Sequence, residues 1–168
     1  MFIIYPAIDI IGGSAVRLSQ GDYARKEVYH PNPSEVAKRW ESEGGEFIHV
    51  VDLEGAKEGK SFNRDAIAKI CSVVSVPVQV GGGIRNMEIA EDMLSIGVSR
   101  VILGTAALAN PEFVKEAVAK HGENLVGLKP GLFRGVERIH GDLNAAARHG
   151  LGALLGNEIA IGDGPRHT

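Results

Sequence analysis

The chain has 168 residues, 44% of them hydrophobic and 23% charged, which is enough for one ordinary domain with a real core and too little for two. Its formal charge is −3 and it contains no run of Lys or Arg, so it presents no basic field for a phosphate backbone and nucleic acid is not an expected partner. The single cysteine, Cys71, makes no internal disulfide, and the opening MFIIYPAID has neither a positive leader nor an apolar stretch long enough to span a bilayer, so no membrane contact is expected and the cytoplasm is the expected compartment.

In chain order, short β-branched runs alternate with helix-like stretches, the pattern of βα units and a parallel sheet. The first predicted strand covers residues 2–10 and carries Asp9 near its end. Arg17, Gln20, Gly21 and Asp22 follow in a predicted loop that either bends over the mouth of the sheet or is ordinary surface. Asn32-Pro33-Ser34-Glu35 opens a helix with a capping residue, Pro in the first turn and Glu three places after the cap, and Gly44-Gly45 closes it. A strand at 47–53 leads to a helix from Asn63 to about Val74, with Ala66, Ile67 and Ile70 on its apolar stripe. The strand at 76–80 runs into Gly81-Gly82-Gly83-Ile84-Arg85. Asn86 then opens the stripe Ile89, Ala90, Met93, Leu94 that Gly97 ends. After the strand at 100–104, Asn110-Pro111 opens the stripe Phe113, Val114, Ala117, Val118 that Gly122 ends. A strand is expected at 125–128. Regularity drops beyond it, where the last forty residues hold eight glycines and three histidines; a helix at 142–148 and a weak strand at 153–161 are expected there.

Parallel sheets and (β/α) barrels hold ligands at the C-terminal ends of their strands, so the residues there are the candidates. Asp9 closes an apolar run, where a carboxylate is costly unless hydrogen-bonded or put to use; it is either an acid–base group or the cap of the Gly12-Gly13 turn. In the second strand, alternation puts His49, Val51 and Leu53 on one face and Val50 and Asp52 on the other, so only one of His49 and Asp52 reaches the mouth. Three consecutive glycines at 81–83 leave backbone N–H groups open to an anion, and the helix opening at Asn86 adds its positive end; a tight turn would explain one or two of them. Gly104-Thr105 repeats the pattern after the next strand. If these strands are neighbours, Gly82, Gly83, Gly104 and Thr105 can clasp one phosphate between them. Metal-ligand spacing and a Ser/His/Asp or Cys nucleophile arrangement are not found in the sequence.

Five blocks taken together carry a resemblance: Pro6-Ala7-Ile8-Asp9-Ile10-Ile11-Gly12-Gly13, Val16-Arg17-Leu18-Ser19-Gln20-Gly21-Asp22, His49-Val50-Val51-Asp52-Leu53-Glu54-Gly55-Ala56, Val78-Gln79-Val80-Gly81-Gly82-Gly83-Ile84-Arg85 and Leu103-Gly104-Thr105-Ala106. Over residues 1 to about 128 the chain resembles the phosphoribosylformimino-aminoimidazole-carboxamide ribotide isomerases of histidine biosynthesis. The resemblance implies a (β/α) barrel of the TIM type, an Amadori rearrangement of a phosphoribosyl aminoaldose to the aminoketose, a small-molecule substrate with a phosphate at each end, and no cofactor or metal. It makes Asp9 the catalytic carboxylate, lines the substrate with Arg17, Gly21, His49 and Arg85, and gives one phosphate to Gly82, Gly83, Gly104 and Thr105. The family's second carboxylate lies in a Gly-Leu-Asp pattern; here Gly127-Leu128 is followed by Lys129, with the opposite charge and a much higher ordinary pKa. Such a barrel takes about 250 residues. The expectation is therefore an incomplete barrel of about five to six βα units from a truncated or frame-disrupted gene, with 1–128 as a half-barrel, 129–168 as a divergent remnant, and open sheet edges that pair between copies. Two other readings stand beside the isomerase: a phosphate-ligand-binding half-barrel without turnover, and an isomerase serving both histidine and tryptophan synthesis. The sister cyclase of the same pathway fits less well, because Ala7-Ile8-Asp9-Ile10 and Arg17 match the isomerase pattern.

Overall fold

A computed structural model describes residues 5–123 and 126–128. The order of elements is β1 (Ala7–Ile11), β2 (Ser14–Ser19), β3 (Asp22–His30), α1 (Pro33–Ser42), β4 (Ile48–Asp52), α2 (Leu53–Glu58), α3 (Arg64–Val73), β5 (Val78–Gly81), α4 (Met87–Ser95), β6 (Arg100–Leu103), α5 (Thr105–Ala109), α6 (Pro111–His121) and β7 (Val126–Leu128). All seven strands belong to one sheet, ordered β3-β2-β1-β4-β5-β6-β7. From β1 through β4, β5, β6 and β7 the pairing is parallel and follows chain order, as helical crossovers between adjacent strands require. This is the α/β architecture of βα units expected from the sequence, a barrel-type sheet that stays open among the described residues.

Three of the helices, α1, α4 and α6, begin where a capping asparagine signals them. Asn32, Asn86 and Asn110 accept the backbone N–H of Ser34, Ile89 and Phe113 through their side chains, a contribution of about 1 kcal/mol per cap. Pro33 and Pro111 occupy the first turn, where a missing N–H costs nothing. The core lies on one face of the sheet. Ile8, Ile10, Ile48, Val50, Val78, Val80, Val101, Leu103 and Val126 point from alternate strand positions into a single cluster with Val36, Ile67, Ile70, Met93, Phe113 and Val114 of the helices, and all are buried. Burying side chains of this size contributes roughly 1.5–3 kcal/mol each.

The opposite face, which a closed barrel would enclose, is built in rows. Ala7, His49, Gln79 and Arg100 stand side by side in register, and the next row toward the C-terminal ends is Asp9, Val51, Gly81, Ile102 and Gly127. This face is polar in its lower row and small or apolar in its upper one, apart from Asp9.

The structure differs from the sequence reading in three places. Residues 17–21 are not a loop: β2 and β3 form an antiparallel hairpin turning at Gln20-Gly21, with irregular register at Ala15/Val16 and Leu18/Ser19. The run Asp22–His30 is almost entirely exposed, so it shows no hydrophobic alternation by which a strand could be read. The first strand spans Ala7–Ile11, one residue past its expected end because its pairing with Val16, Ala15 and Ser14 of β2 prolongs it; the expected residues 2–4 lie outside the described residues. Two short helices, α2 and α5, follow β4 and β6 directly, where the sequence reading assigned no helix. The helix and strand expected at 142–148 and 153–161 lie outside the described residues.

Candidate functional site

The C-terminal ends of β1, β4, β5 and β6 carry the candidates. Asp9 sits on the upper row of the inner face, paired across to Val51 on one side and Val16 on the other. Its side chain is partly buried, and among the described residues no group donates to it. Burial without a partner pushes its carboxyl above the usual range, because a desolvated carboxylate disfavours its charged form. It does not cap the Gly12-Gly13 turn: those two N–H groups go to Glu54 Oε2 (2.6 Å) and Asn63 Oδ1 (2.8 Å). Of the two readings of Asp9 left open by the sequence, the capping one is therefore gone.

His49 faces the same side of the sheet, one row below Asp9. The Gln79 amide lies 3.1 Å from His49 Nδ1 and its oxygen accepts from Arg100 Nη1 at 3.4 Å. Read as a donor to Nδ1, that amide leaves the imidazole proton on Nε2. Burial lowers the His49 pKa, so the ring is neutral at physiological pH. Asp52 faces the other way and is 1% exposed. Its carboxylate accepts from the N–H of Gly55 (2.8 Å), Phe62 (3.0 Å) and Asn63 (3.3 Å), from Ser61 Oγ (3.1 Å) and from Asn63 Nδ2 (2.7 Å). It caps α2 and holds the loop after it, a structural task.

The glycine loops also separate. Gly82 and Gly83 both have positive φ, +104° and +76°, and a Cβ on either would lie 2.1 Å from the Asp52 carbonyl oxygen or 2.6 Å from that of Gly55. These two glycines let the β5–α4 loop press its backbone onto the end of β4 and the start of α2. Gly81 is different: it lies in β5 on the inner face, packed toward Ile102. β5 and β6 are neighbours, so Gly82-Gly83 and Gly104-Thr105 leave from adjacent strand ends, as the phosphate expectation requires. Arg85 is exposed and donates to the Ala56 carbonyl at 3.3 Å. Arg17, on β2, is exposed and stands opposite Glu27 of β3. Gly21 makes the hairpin turn at φ +76°.

The hairpin is tied to α2 by residues that the sequence reading did not single out. Besides the Gly12 and Gly13 bonds, Tyr23 Oη donates to the Leu53 carbonyl at 3.0 Å. Between hairpin and helix lies a cleft of about 340 Å³ lined by Ile11, Tyr23, Glu54, Lys57, Glu58 and Phe62. Cys71 takes no part in any of this: burial in α3 pushes its thiol up to about 11, which leaves it protonated and a poor nucleophile. Among the described residues no three His, Cys, Asp or Glu side chains come together as a metal site would need, and no helix is long and apolar enough to cross a membrane.

Comparison with known proteins bears on this arrangement. Residues 3–129 match the family model described as histidine biosynthesis protein. A protein of Alkaliphilus metalliredigens is 51% identical over 124 residues, 74% of this chain and 52% of the relative. One from Synechocystis is 50% identical over 126 residues, 74% of this chain and 49% of the relative. Another from Dehalococcoides mccartyi is 52% identical over 122 residues, 73% of this chain and 50% of the relative. All three carry the name 1-(5-phosphoribosyl)-5-((5-phosphoribosylamino)methylideneamino) imidazole-4-carboxamide isomerase. The chain spans about half the length of these relatives.

Proposed function

The chain belongs to the histidine biosynthesis protein family, and from that footing we propose that its site is built for the aldose-to-ketose Amadori rearrangement of a phosphoribosyl aminoaldose, in the cytoplasm. One observation carries the proposal: Asp9 is a partly buried carboxylate without a donor among the described residues, held at a strand end with its pKa raised. In this reaction the ribose ring oxygen gains a proton as the ring opens to an iminium, a base then removes the C2 proton to give the enaminol, and protonation at C1 with loss of the 2-hydroxyl proton completes the 1-amino-2-ketose. A carboxylate whose basicity is raised by desolvation is suited to the C2 step, since the best proton acceptor titrates nearer the working pH. Gly82, Gly83, Gly104 and Thr105 receive one substrate phosphate at the ends of β5 and β6, and Arg17, Gly21, His49 and Arg85 border the substrate. The neutral His49 beneath Asp9 adds no charge that would pull the carboxyl back down.

The test is turnover of the aminoaldose ribotide by the purified chain, beside Asp9→Asn. Turnover that Asp9→Asn abolishes supports the proposal; turnover that survives it refutes the role of Asp9. A second reading is favoured by Lys129, which stands where the family pattern has a carboxylate: a phosphate-ligand-binding half-barrel without chemistry. It predicts that the chain binds the ribotide without converting it and that Lys129→Asp adds activity. Assay of the corresponding tryptophan-pathway aminoaldose separates a single-substrate from a dual-substrate isomerase. Light scattering of the same sample reads whether open sheet edges pair between copies.

A further inference from the structure

Four asparagines stand at helix N-caps in the described residues, and three of them cap. Asn32, Asn86 and Asn110 each accept an N–H of the first turn, whereas Asn63, at the start of α3, makes no such bond. Asn63 is 4% exposed, and its side chain is fully engaged elsewhere. Its Nδ2 donates to Asp52 Oδ1 (2.7 Å) and to Glu54 Oε2 (3.1 Å), and its Oδ1 accepts the Gly13 N–H (2.8 Å). A residue that forgoes its own helix to bridge three other elements breaks a local rule for a gain elsewhere, and such breaks gather at functional sites.

Gly13 turns the chain from β1 to β2, four residues after Asp9 and four before Arg17. We infer that Asn63 is a positioning residue: it clamps the β1–β2 turn to the end of β4 and the start of α2, and so sets Asp9 and Arg17 relative to the phosphate loops. The inference rests on the reading of Asp9 as the reacting carboxylate. Only a carboxamide meets all the demands at this point, two donors for two carboxylates and one acceptor for a backbone N–H. Glu54 adds a second tie through the Gly12 N–H at 2.6 Å.

Asn63→Asp is nearly isosteric but supplies no donor, and it places a third carboxylate against Asp52 from the end of β4 and Glu54 from α2. The hairpin meets this point through the N–H groups of Gly12 and Gly13, Tyr23, Lys57 and Glu58 line the cleft beside Glu54, and neighbouring Arg64 pairs with Asp92 of α4 at 2.8 Å. The carboxylate of Asn63→Asp keeps an acceptor for the Gly13 N–H but donates to neither Asp52 nor Glu54, whereas Asn63→Ala loses all three bonds.

Two readouts test the inference: the protection factor of the Gly13 amide in hydrogen exchange, and kcat and KM for the aminoaldose ribotide. In Asn63→Ala the Gly13 protection factor falls about tenfold or more while amides of Val80 and Leu103 keep theirs. In Asn63→Asp it falls as well, because both donors that anchor the side chain are lost. kcat falls about tenfold or more, and competition by inorganic phosphate, which reads the Gly82 and Gly104 end, stays unchanged. Should Asn63→Ala not fold, Glu54→Ala at a partly exposed position loosens Gly12 and leaves Gly13 protected. Retained Gly13 protection in Asn63→Ala, or a loosened turn with unchanged kcat, overturns the inference. A wild-type chain without turnover refutes the isomerase reading instead, and the exchange data still decide whether Asn63 clamps the turn.

Discussion

Asp52 is the sharpest test of the separation between structure and chemistry at these strand ends, because a reader of the sequence meets two acidic residues near the ends of neighbouring strands and has no reason to treat them differently. Replacing it by Asn keeps the shape and exchanges one acceptor oxygen for an NH2 donor. One carboxylate oxygen takes the Gly55 N–H and Asn63 Nδ2; the other takes Ser61 Oγ and the N–H groups of Phe62 and Asn63. Whichever way the new amide turns, at least two donors meet a donor. Hydrogen bonds to a charged acceptor contribute about 1.5–3 kcal/mol each, so Asp52→Asn costs about 3–6 kcal/mol of a total that rarely exceeds about 15 kcal/mol. At about 2–4 °C per kcal/mol for a chain of this size, Tm falls by about 10 °C or more. Thermal unfolding at neutral pH, followed by far-UV circular dichroism, measures it. A loss below about 2 °C would mean that this network does not hold the β4–α2–α3 junction together.

Two further outcomes follow from the same geometry. Gly82→Ala puts a methyl group against the Asp52 carbonyl at a positive φ, and overpacking with backbone strain costs about 2–5 kcal/mol; the loss shows in denaturant unfolding without any ligand, and a variant as stable as the parent would assign this glycine to ligand approach alone. Burial raises the Asp9 carboxyl, so the folded chain holds that proton more tightly than the unfolded one. The stabilisation is complete below the ordinary carboxylate pKa and is lost as pH rises through the raised value. Asp9→Asn should therefore be more stable than the parent at neutral pH and indistinguishable from it at about pH 3, the opposite sign to Asp52→Asn, and a stability loss at neutral pH would contradict the unpartnered burial of Asp9.

The parallel strands and the four longer helices were legible because each combines two independent signals, β-branched runs such as Val78–Gly81 or apolar stripes such as Phe113, Val114 and Ala117 with Asn, Pro and Gly at the ends. The adjacency of the two glycine loops followed from chain order alone once the sheet was parallel. The hairpin was hidden for a physical reason. β3 buries nothing except part of His30, and an edge strand held by backbone bonds to one neighbour leaves no periodicity in its side chains. The role of Asn63 was hidden for the converse reason: at residue level it looks like Asn32, Asn86 and Asn110, and only the position of Glu54 and Gly13 in space turns its side chain away from the helix. Gly81–Gly83 read as one motif, yet two of the three are explained by close packing on Asp52 and Gly55 and the third by its place on the inner face.

The two halves of the proposed site are supported unequally. The phosphate end is fixed from within: the Gly82-Gly83 backbone lies on β4 and α2, whose junction is held by the five bonds of Asp52. Its β5 half is preorganised by the β4–α2 junction beneath it, and preorganised N–H donors cost little to bind an anion. Asp9 is held less fully. On one side it has β4, and on the other the first pairs of the hairpin, which is tied to the body of the fold by Glu54, Asn63, Tyr23 and the Arg39–Tyr29 bond and by Ala15 in the core. Catalysis depends more steeply on placement than binding does, since a displacement of about 1 Å can cost about a hundredfold in rate while leaving a phosphate contact intact. Loosening the hairpin should therefore remove turnover before it removes affinity for the phosphorylated substrate, and a variant that lost affinity first would show that the hairpin, and not the glycine loops, carries the binding energy.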